Sequence, residues 1–384
     1  MSLREGRASA RPALDQMKRP LLTLLLFSLT LSPSAQAYGP EGHKIIGAIA
    51  DQKLAHTPTG ARVSELLDGY TLPEVSIMPD TIKQWDKPGI DDPEVQKCFS
   101  SHPNIAEQLR AFWKANPPST DDNSAMPSHH WFHYTDVPLV GVEKYGDGKV
   151  GRSQWDIVHT MRYCIAVLQG NEPENNVRKI TRPIAIILLA HLVGDIHQPL
   201  HVGAQYFDAN GKPANPDDGG ETFPDEGGNS LRVKLADRVP RKRLPKLHGY
   251  WDMNAVLANL PQLPATMAKE DRQTKMDLAE KELIDRLARE EPKDWRPPTG
   301  MKVGEYPEAW ANEILPVARQ AYGRLRYRHV RPKLDHGKMV AEGEATEQST
   351  TGGVSYSKWS SQVVLEEMHK AGWRVADLLE RSIR

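Results

Sequence analysis

The sequence predicts a mainly α-helical fold, and three observations carry that prediction. Apolar residues recur at the helical period in several long stretches. Alternating runs of Val, Ile and Thr, the strand signature, are scarce. The 384 residues are 39% hydrophobic and 26% charged, enough to bury a sizeable core and unlike a disordered, collagen-like or polytopic membrane chain. With 49 basic and 50 acidic side chains the net charge is −1, which argues against bulk cationic capture of nucleic acid. Two cysteines exclude a disulfide-stapled scaffold and any Cys-rich zinc module. The 14 histidines are the count to follow, because imidazole is a common metal ligand.

The first element is an export signal. Met17-Lys18-Arg19-Pro20 is basic, Leu21 to Leu31 is apolar, and Ser34-Ala35-Gln36-Ala37 ends in an Ala-x-Ala cleavage pattern. The 11-residue apolar run is too short to span a bilayer as a helix. Met17 is the expected initiator, with residues 1–16 an over-extended start, and cleavage is expected after Ala37. Residues 1–37 carry five basic and two acidic side chains, so the mature chain of 347 residues, starting at Tyr38, has a net charge of −4. Export predicts a periplasmic or secreted protein, with no stable membrane anchor since no second apolar segment is long enough to span. That compartment permits a Cys98–Cys164 disulfide, although two free thiols remain an alternative.

Helices follow in order. Residues 43–55 put apolar groups on one stripe, and 152–169, 181–197, 267–290, 305–327 and 356–382 also read as helices. The charged run Lys269 to Lys293 reads as a solvated helix face with opposite charges near i,i+4. Residues 202–230, rich in Gly, Asp, Asn and Pro, are expected to be irregular, and 341–355 a flexible surface loop.

The chemistry is concentrated in the segment from Ile184 to His201. Ile184 to Val193 is apolar all round, so the helix should be buried on most faces, yet His191 and Asp195 lie four apart on one face. A buried carboxylate is expensive unless something compensates its charge. A satisfied Asp–His pair and a metal site explain this segment equally well. Pro199 makes continuation of the helix unfavourable, leaving His201 just beyond its end. The spacing recurs in His248-Gly-Tyr-Trp-Asp252, in a helix starting near Leu247. Two such pairs, with His43, His133 and Asp80 unexplained, point to a multinuclear site of nitrogen and oxygen donors, which suits zinc.

These residues also carry a family resemblance. Tyr38-Gly-x-x-Gly-His43, Pro79-Asp80-Thr-Ile-Lys83, His133-Tyr-Thr-Asp136, His191-x-x-x-Asp195-x-x-Gln-Pro-Leu-His201, Gly227-Gly-Asn229 and Leu247-His-x-x-Trp-Asp252 occur in that order. Together they resemble the zinc-dependent, single-strand-specific type I nucleases, which share a fold with bacterial zinc-dependent phospholipases C. The resemblance implies a single catalytic domain over residues 38–384, with the metal site in a cleft between helices. Residues 253–384 match no motif, and 202–226 and 341–355 stand as loop insertions.

The resemblance implies three Zn2+ ions per chain. One would be held by Asp80, His133, His191 and Asp195. A second would take the free amine and carbonyl of Tyr38, His43, and Asp195 as a bridge. The third would be held by His201, His248 and Asp252. The family commonly begins with Trp rather than Tyr38, and Met78-Pro79 stands where Trp-Ala or Trp-Pro is usual. Asp86 is therefore the alternative to Asp80. His197 competes with His201, which the Gln-Pro-Leu-His match favours.

By the same resemblance Asp136 orients water and touches the base, Lys83 is its charged companion, Tyr134 stacks a nucleobase, and Asn229 contacts substrate. His129, His130, Trp131 and Trp251 are expected to be core or rim residues. The implied activity is hydrolysis of single-stranded DNA and RNA, and of 3′-nucleotides, to 5′-phosphate products by a monomer. The rivals are a phospholipase C of the same fold and an exported zinc-binding protein without turnover.

Overall fold

In the computed structural model, which describes residues 38–87, 89, 101–118, 127–236, 244–348 and 353–383, helices carry most of the chain. They are α1 (Gly39–Leu54), α2 (Pro58–Leu66), α3 (Leu72–Val75), α4 (Met78–Ile82), α5 (Pro103–Ala115), α6 (Ile157–Leu168) and α7 (Arg182–Ile196). Next comes α8, in which Leu247–Gly249, a π turn at Tyr250–Asn254 and Ala255–Leu257 run on as one helix. α9 (Lys269–Arg289), α10 (Tyr306–Gly323) and α11 (Tyr356–Ser382) complete the set. None of the helices among the described residues is long and apolar enough to cross a membrane. The signal segment and Cys98 lie outside the described residues; Cys164 is buried in α6.

α7 is the central element. Thr181 caps it by accepting from the Ile184 N–H, Pro183 sits in its first turn, and every residue from Pro183 to Ile196 is buried. Its isoleucines cost at most about 0.7 kcal/mol each in helix propensity. Burying each contributes about 1.5–3 kcal/mol, so packing decides the conformation.

α1 lies between two apolar clusters. Ile46, Ala50 and Leu54 join the main core around α7, while Ile45 and Ile49 meet Leu283 and Leu287 of α9 and Trp373 of α11. The region beyond residue 252, which carries no motif, thus covers the helix that presents His43.

Boundaries differ from expectation where a cap or strand intervenes. Asp156, not residue 152, starts α6 by accepting from the His159 N–H. α10 stops at Gly323, and Leu325–Asp335 continues as a strand.

The strands are β1 (Val137–Pro138), β2 (Gly203–Ala204), β3 (Tyr206–Asp208), β4 (Thr222–Pro224), β5 (Leu231–Lys234), β6 (Leu325–Asp335) and β7 (Lys338–Glu347). β1 pairs in parallel with β2, and β3 antiparallel to β4, so the stretch 202–230 is partly ordered as a hairpin. A three-stranded sheet runs β5-β7-β6, with β5 parallel to β7 and β6 antiparallel to it.

The expectation of a flexible loop over 341–355 therefore fails for its first half. In β7 the inward positions Ala341, Gly343 and Ala345 alternate with Glu342 and Glu344. The strand period is present, but small residues stand where β-branched ones would have announced it.

Candidate metal centre

The site is built on α7. One helical turn separates His191 from Asp195, so both side chains leave the same face, and both are fully buried. α1 brings His43 alongside: its Nε2 lies 3.2 Å from Asp195 Oδ1, and its ring stacks on His191 at 3.9 Å. Gly194 makes this possible. A Cβ there would stand 2.9 Å from His43 Nδ1, closer than real Cβ contacts allow.

The other oxygen of Asp195 faces a second pair of rings. Asp195 Oδ2 is 3.0 Å from His133 Nδ1 and 3.1 Å from His191 Nε2, and those two nitrogens are 2.9 Å apart. His133 closes a 3₁₀ turn, His129–His133. α4 supplies Asp80, whose Oδ1 lies 3.8 Å from His133 Nδ1 and 3.9 Å from His191 Nε2. Lys83 Nζ donates to that same Oδ1 at 2.7 Å.

A third set lies beyond the end of α7. Gln198 caps the 3₁₀ turn Pro199–His201, turning the chain so that His201 Nε2 meets His248 Nε2 at 3.0 Å. Asp252, on the next turn of α8, places Oδ2 3.5 Å from His248 Nε2. The π turn of α8 begins between these two residues, a distortion frequent at functional sites.

Ring tautomers follow from the backbone. Nδ1 of His191 donates to Ser76 O (2.6 Å), that of His201 to His133 O (2.8 Å) and that of His248 to Gly227 O (2.7 Å). A carbonyl can only accept, so in each neutral ring the Nε2 lone pair is the atom aimed inward. Orientation of a ligand ring by its other nitrogen is the usual arrangement at metal sites. Gly227, with φ +59°, permits its share: a Cβ there would meet Leu200 O at 2.3 Å.

The electrostatics point the same way. Burial pushes the carboxyls of Asp195 and Asp80 up, but His191 and His201 outweigh this for Asp195, as do Lys83, His191 and His133 for Asp80, so both are held below the usual range. Burial, with Asp195 and Asp80 nearby, raises Asp252 well above it. Burial lowers His43, and it drives His248 down to about 3. Of the histidines gathered here only His191 is raised, because Asp195 and Asp80 outweigh its burial. Ionised Asp195 and Asp80 beside uncharged rings such as His43 and His248 are the protonation states in which these groups ligate a cation.

Buried atoms without hydrogen-bond partners include Asp195 Oδ1, Asp252 Oδ2 and both nitrogens of His43. Orphaned carboxylate oxygens and inward-facing imidazole lone pairs, in three groups within coordinating reach, fit divalent metal ions with nitrogen and oxygen donors.

The structure thus gathers His43, Asp80, His133, His191, Asp195, His201, His248 and Asp252. His197 is turned away: its Nδ1 donates to Val193 O and its Nε2 accepts from Arg374. Asp80, not Asp86, joins the cluster; Asp86 contacts His129 and His130 instead. Tyr38 is buried in the left-handed region (φ 36°), donating from its hydroxyl to His197 O at 2.7 Å. Half-buried Tyr134 has its ring 5.6 Å from that of Trp131. Asp136 is half-buried, and its backbone N–H donates to Gly151 O. Asn229 donates to Glu226 O within the turn that orients His248. Trp251 is core.

Contributors without a predicted role are Ser76, Gly194, Gly227 and Gln198. Gln198, the first residue of the Gln-Pro-Leu-His segment, donates to Asp252 Oδ1 at 2.7 Å. Ser76 and Gly227 act through carbonyls that any residue type carries, so only the structure reveals them.

Comparison with known proteins places the sequence among nucleases. The family model S1/P1 Nuclease matches residues 38–384. Endonuclease 1 of Arabidopsis thaliana is 24% identical over 272 residues, 69% of this chain and 66% of that protein. Endonuclease 4 of the same plant is 27% identical over 165 residues, 38% of this chain and 48% of that protein. The alignments thus span about half to two thirds of these relatives' length. With its mainly helical fold of the phospholipase C/nuclease type and a match over the whole described region, the chain belongs to the S1/P1 nuclease family.

Proposed function

We propose that this protein is an exported, zinc-dependent phosphodiesterase that hydrolyses single-stranded DNA and RNA, and 3′-nucleotides, leaving 5′-phosphates. The observation that carries the reading is the convergence of seven buried histidine and aspartate side chains with Asp195 in three donor groups, the Nε2 lone pairs of His191, His201 and His248 directed inward.

Asp80, His133, His191 and Asp195 would hold one ion, His43 and Asp195 with the amine and carbonyl of a processed Tyr38 a second, and His201, His248 and Asp252 a third. Zinc bound there supplies Lewis acidity toward phosphate oxygens and acidifies water. Asp195 spans two ligand groups with its two oxygens, fixing their spacing. Lys83 neutralises part of the Asp80 charge, which keeps the pocket receptive to phosphate. Tyr134 offers a ring to an unpaired base, a contact open to every base and closed to a paired one. Asp136 orients water and base, and Asn229 binds substrate. An ordinary anionic surface suits this reading, since phosphate is drawn to the ions rather than to a basic patch.

The test pairs metal analysis of the processed monomer with digestion of single-stranded DNA and RNA, with and without chelator. About three zinc ions per chain in the centre built on Asp195, and chelator-sensitive release of 5′-mononucleotides, are expected. Diglyceride release from phosphatidylcholine in place of nucleotides would transfer the site to lipid. Metal without turnover of either substrate would leave a zinc-binding protein.

A further inference from the structure

A second donor cluster uses none of the residues assigned above. Asp86 ends the 3₁₀ turn Lys83–Asp86, and His129 and His130 open the turn His129–His133, where the Ser128 hydroxyl accepts from the His130 N–H. The two turns that contribute Lys83 and His133 to the main site therefore meet again through different side chains.

We infer that Asp86, His129 and His130 form an additional site for a divalent transition metal, zinc foremost. One donor atom from each lies within 4.8 Å of the others. His130 Nε2 is 2.6 Å from Asp86 Oδ2, and His129 Nε2 is 3.3 Å from the same oxygen. Donors about 2.0–2.1 Å from one tetrahedral zinc lie roughly 3.3 Å apart, so small adjustments seat an ion among the three.

A simple Asp–His pair accounts for His130, which takes the short contact to Asp86 Oδ2, better than for His129. His129 is 1% exposed, its Nδ1 has no hydrogen-bond partner, and its Nε2 makes only the longer 3.3 Å approach to the same oxygen. Burying an unsatisfied imidazole is costly, and an ion on Nε2 gives that lone pair its partner. Burial also takes His129 down to about 4, so at neutral pH the ring is uncharged and able to ligate. Burial pushes the Asp86 carboxyl up, but contacts from His129, His130 and Trp113 outweigh it, and the group stays ionised.

The carboxylate is also pre-oriented. Trp113 Nε1 donates to Asp86 Oδ1 at 2.7 Å, leaving Oδ2 to face the histidines. An outer hydrogen bond of this kind commonly fixes a metal-binding carboxylate. The side chain of His130 is 43% exposed, so solvent can fill the remaining coordination position. Two imidazoles and one carboxylate are a donor set for zinc or a neighbouring transition ion rather than for calcium or magnesium.

The test is anomalous diffraction at the zinc edge on zinc-loaded crystals, combined with metal analysis of the wild type and of His130→Ala. Expected is an anomalous peak bounded by Asp86, His129 and His130. His130→Ala should lose that peak and one metal equivalent while keeping the peaks around Asp195. No peak at this position in the wild type, or one unchanged in His130→Ala, would overturn the proposal. Missing density around Asp195 would count instead against the proposed nuclease centre, so the two readings fail separately.

Discussion

His201 and His248 meet Nε2 to Nε2 at 3.0 Å while each Nδ1 donates to a backbone carbonyl. Neutral rings held this way point two lone pairs at each other, which repel until a proton or a metal ion stands between them. Burial keeps both rings below their ordinary pKa, which disfavours the proton. Metal removal should therefore destabilise the fold as well as the activity. At a free zinc level of about 100 times Kd, binding contributes about 2.7 kcal/mol, so the chelated protein should melt about 5 °C or more lower. Calorimetry with and without chelator, followed by zinc replacement, measures this. Equal melting temperatures would contradict it.

Gly194→Ala should separate His43 from Asp195. The added methyl would stand 2.9 Å from His43 Nδ1, and neither α1 nor α7 has room to withdraw. Loss of one ligand contact from a shared carboxylate should lower activity by about 10- to 100-fold. Far-UV circular dichroism should be unchanged. Unaltered turnover with unaltered metal content would show that His43 needs no such clearance.

Gln198→Leu tests a residue that touches no ion in the proposed arrangement. Its amide donates to Asp252 Oδ1, and its carbonyl oxygen accepts from the Leu200 N–H at 2.6 Å. Leucine keeps the volume and loses both bonds, so Asp252 and His201 each lose a restraint. Zinc affinity at the third group should fall about 10- to 100-fold, read by competition with a chromophoric chelator. The other two groups should titrate as in the wild type.

Much of this arrangement was legible in the sequence, and the reason is periodicity. His191 and Asp195 announce themselves because a helix apolar on every side holds an imidazole and a carboxylate one turn apart only where a partner or an ion compensates the carboxylate. His248 and Asp252 repeat the spacing. What stayed hidden falls into two physical kinds. The sheet of β5, β7 and β6 was missed because β7 turns Ala341, Gly343 and Ala345 inward, so its alternation lacks the bulky residues that mark strands. The orienting groups were missed because Ser76 and Gly227 contribute carbonyl oxygens, which no side chain advertises. His129 reads as a core residue, and only its unpartnered Nδ1 and the approach of its Nε2 to Asp86 set it apart.

Asp225 supplies a pH dependence away from the proposed ions. Burial outweighs the contacts from Tyr322, Gly228 and Gln205 and raises its carboxyl to about 7, so below that pH the neutral acid is preferred in the folded chain. The folded pKa exceeds the unfolded value of about 3.9, so the folded state binds the extra proton across that interval. Its stabilisation is complete below pH ~4 and is lost as pH rises through about 7. Asp225→Asn should remove this contribution, since its amide oxygen can still accept from the Gln205 N–H. The melting temperature of the wild type relative to the variant should fall between pH 5 and 7.5. Parallel profiles would show that Asp225 is ionised in the folded protein.

The N-terminus offers the sharpest test of processing. Tyr38 is fully buried, its hydroxyl fastened to His197 O at the end of α7, and its own carbonyl accepts from the Gly42 N–H. The residue at the proposed cleavage point is thus anchored against the helix that carries His191 and Asp195. If its freed amine joins His43 and Asp195 as a ligand, any residue left before it converts that amine to an amide, a poor donor. A chain beginning at Tyr38 should then hold one more zinc ion than the same chain extended by a Gly-Ser pair. The extended chain should also lose most of its phosphodiesterase activity with little change in helix content. Equal zinc content and equal turnover in the two proteins would remove the amine from the site and leave His43 and Asp195 to hold that ion without it.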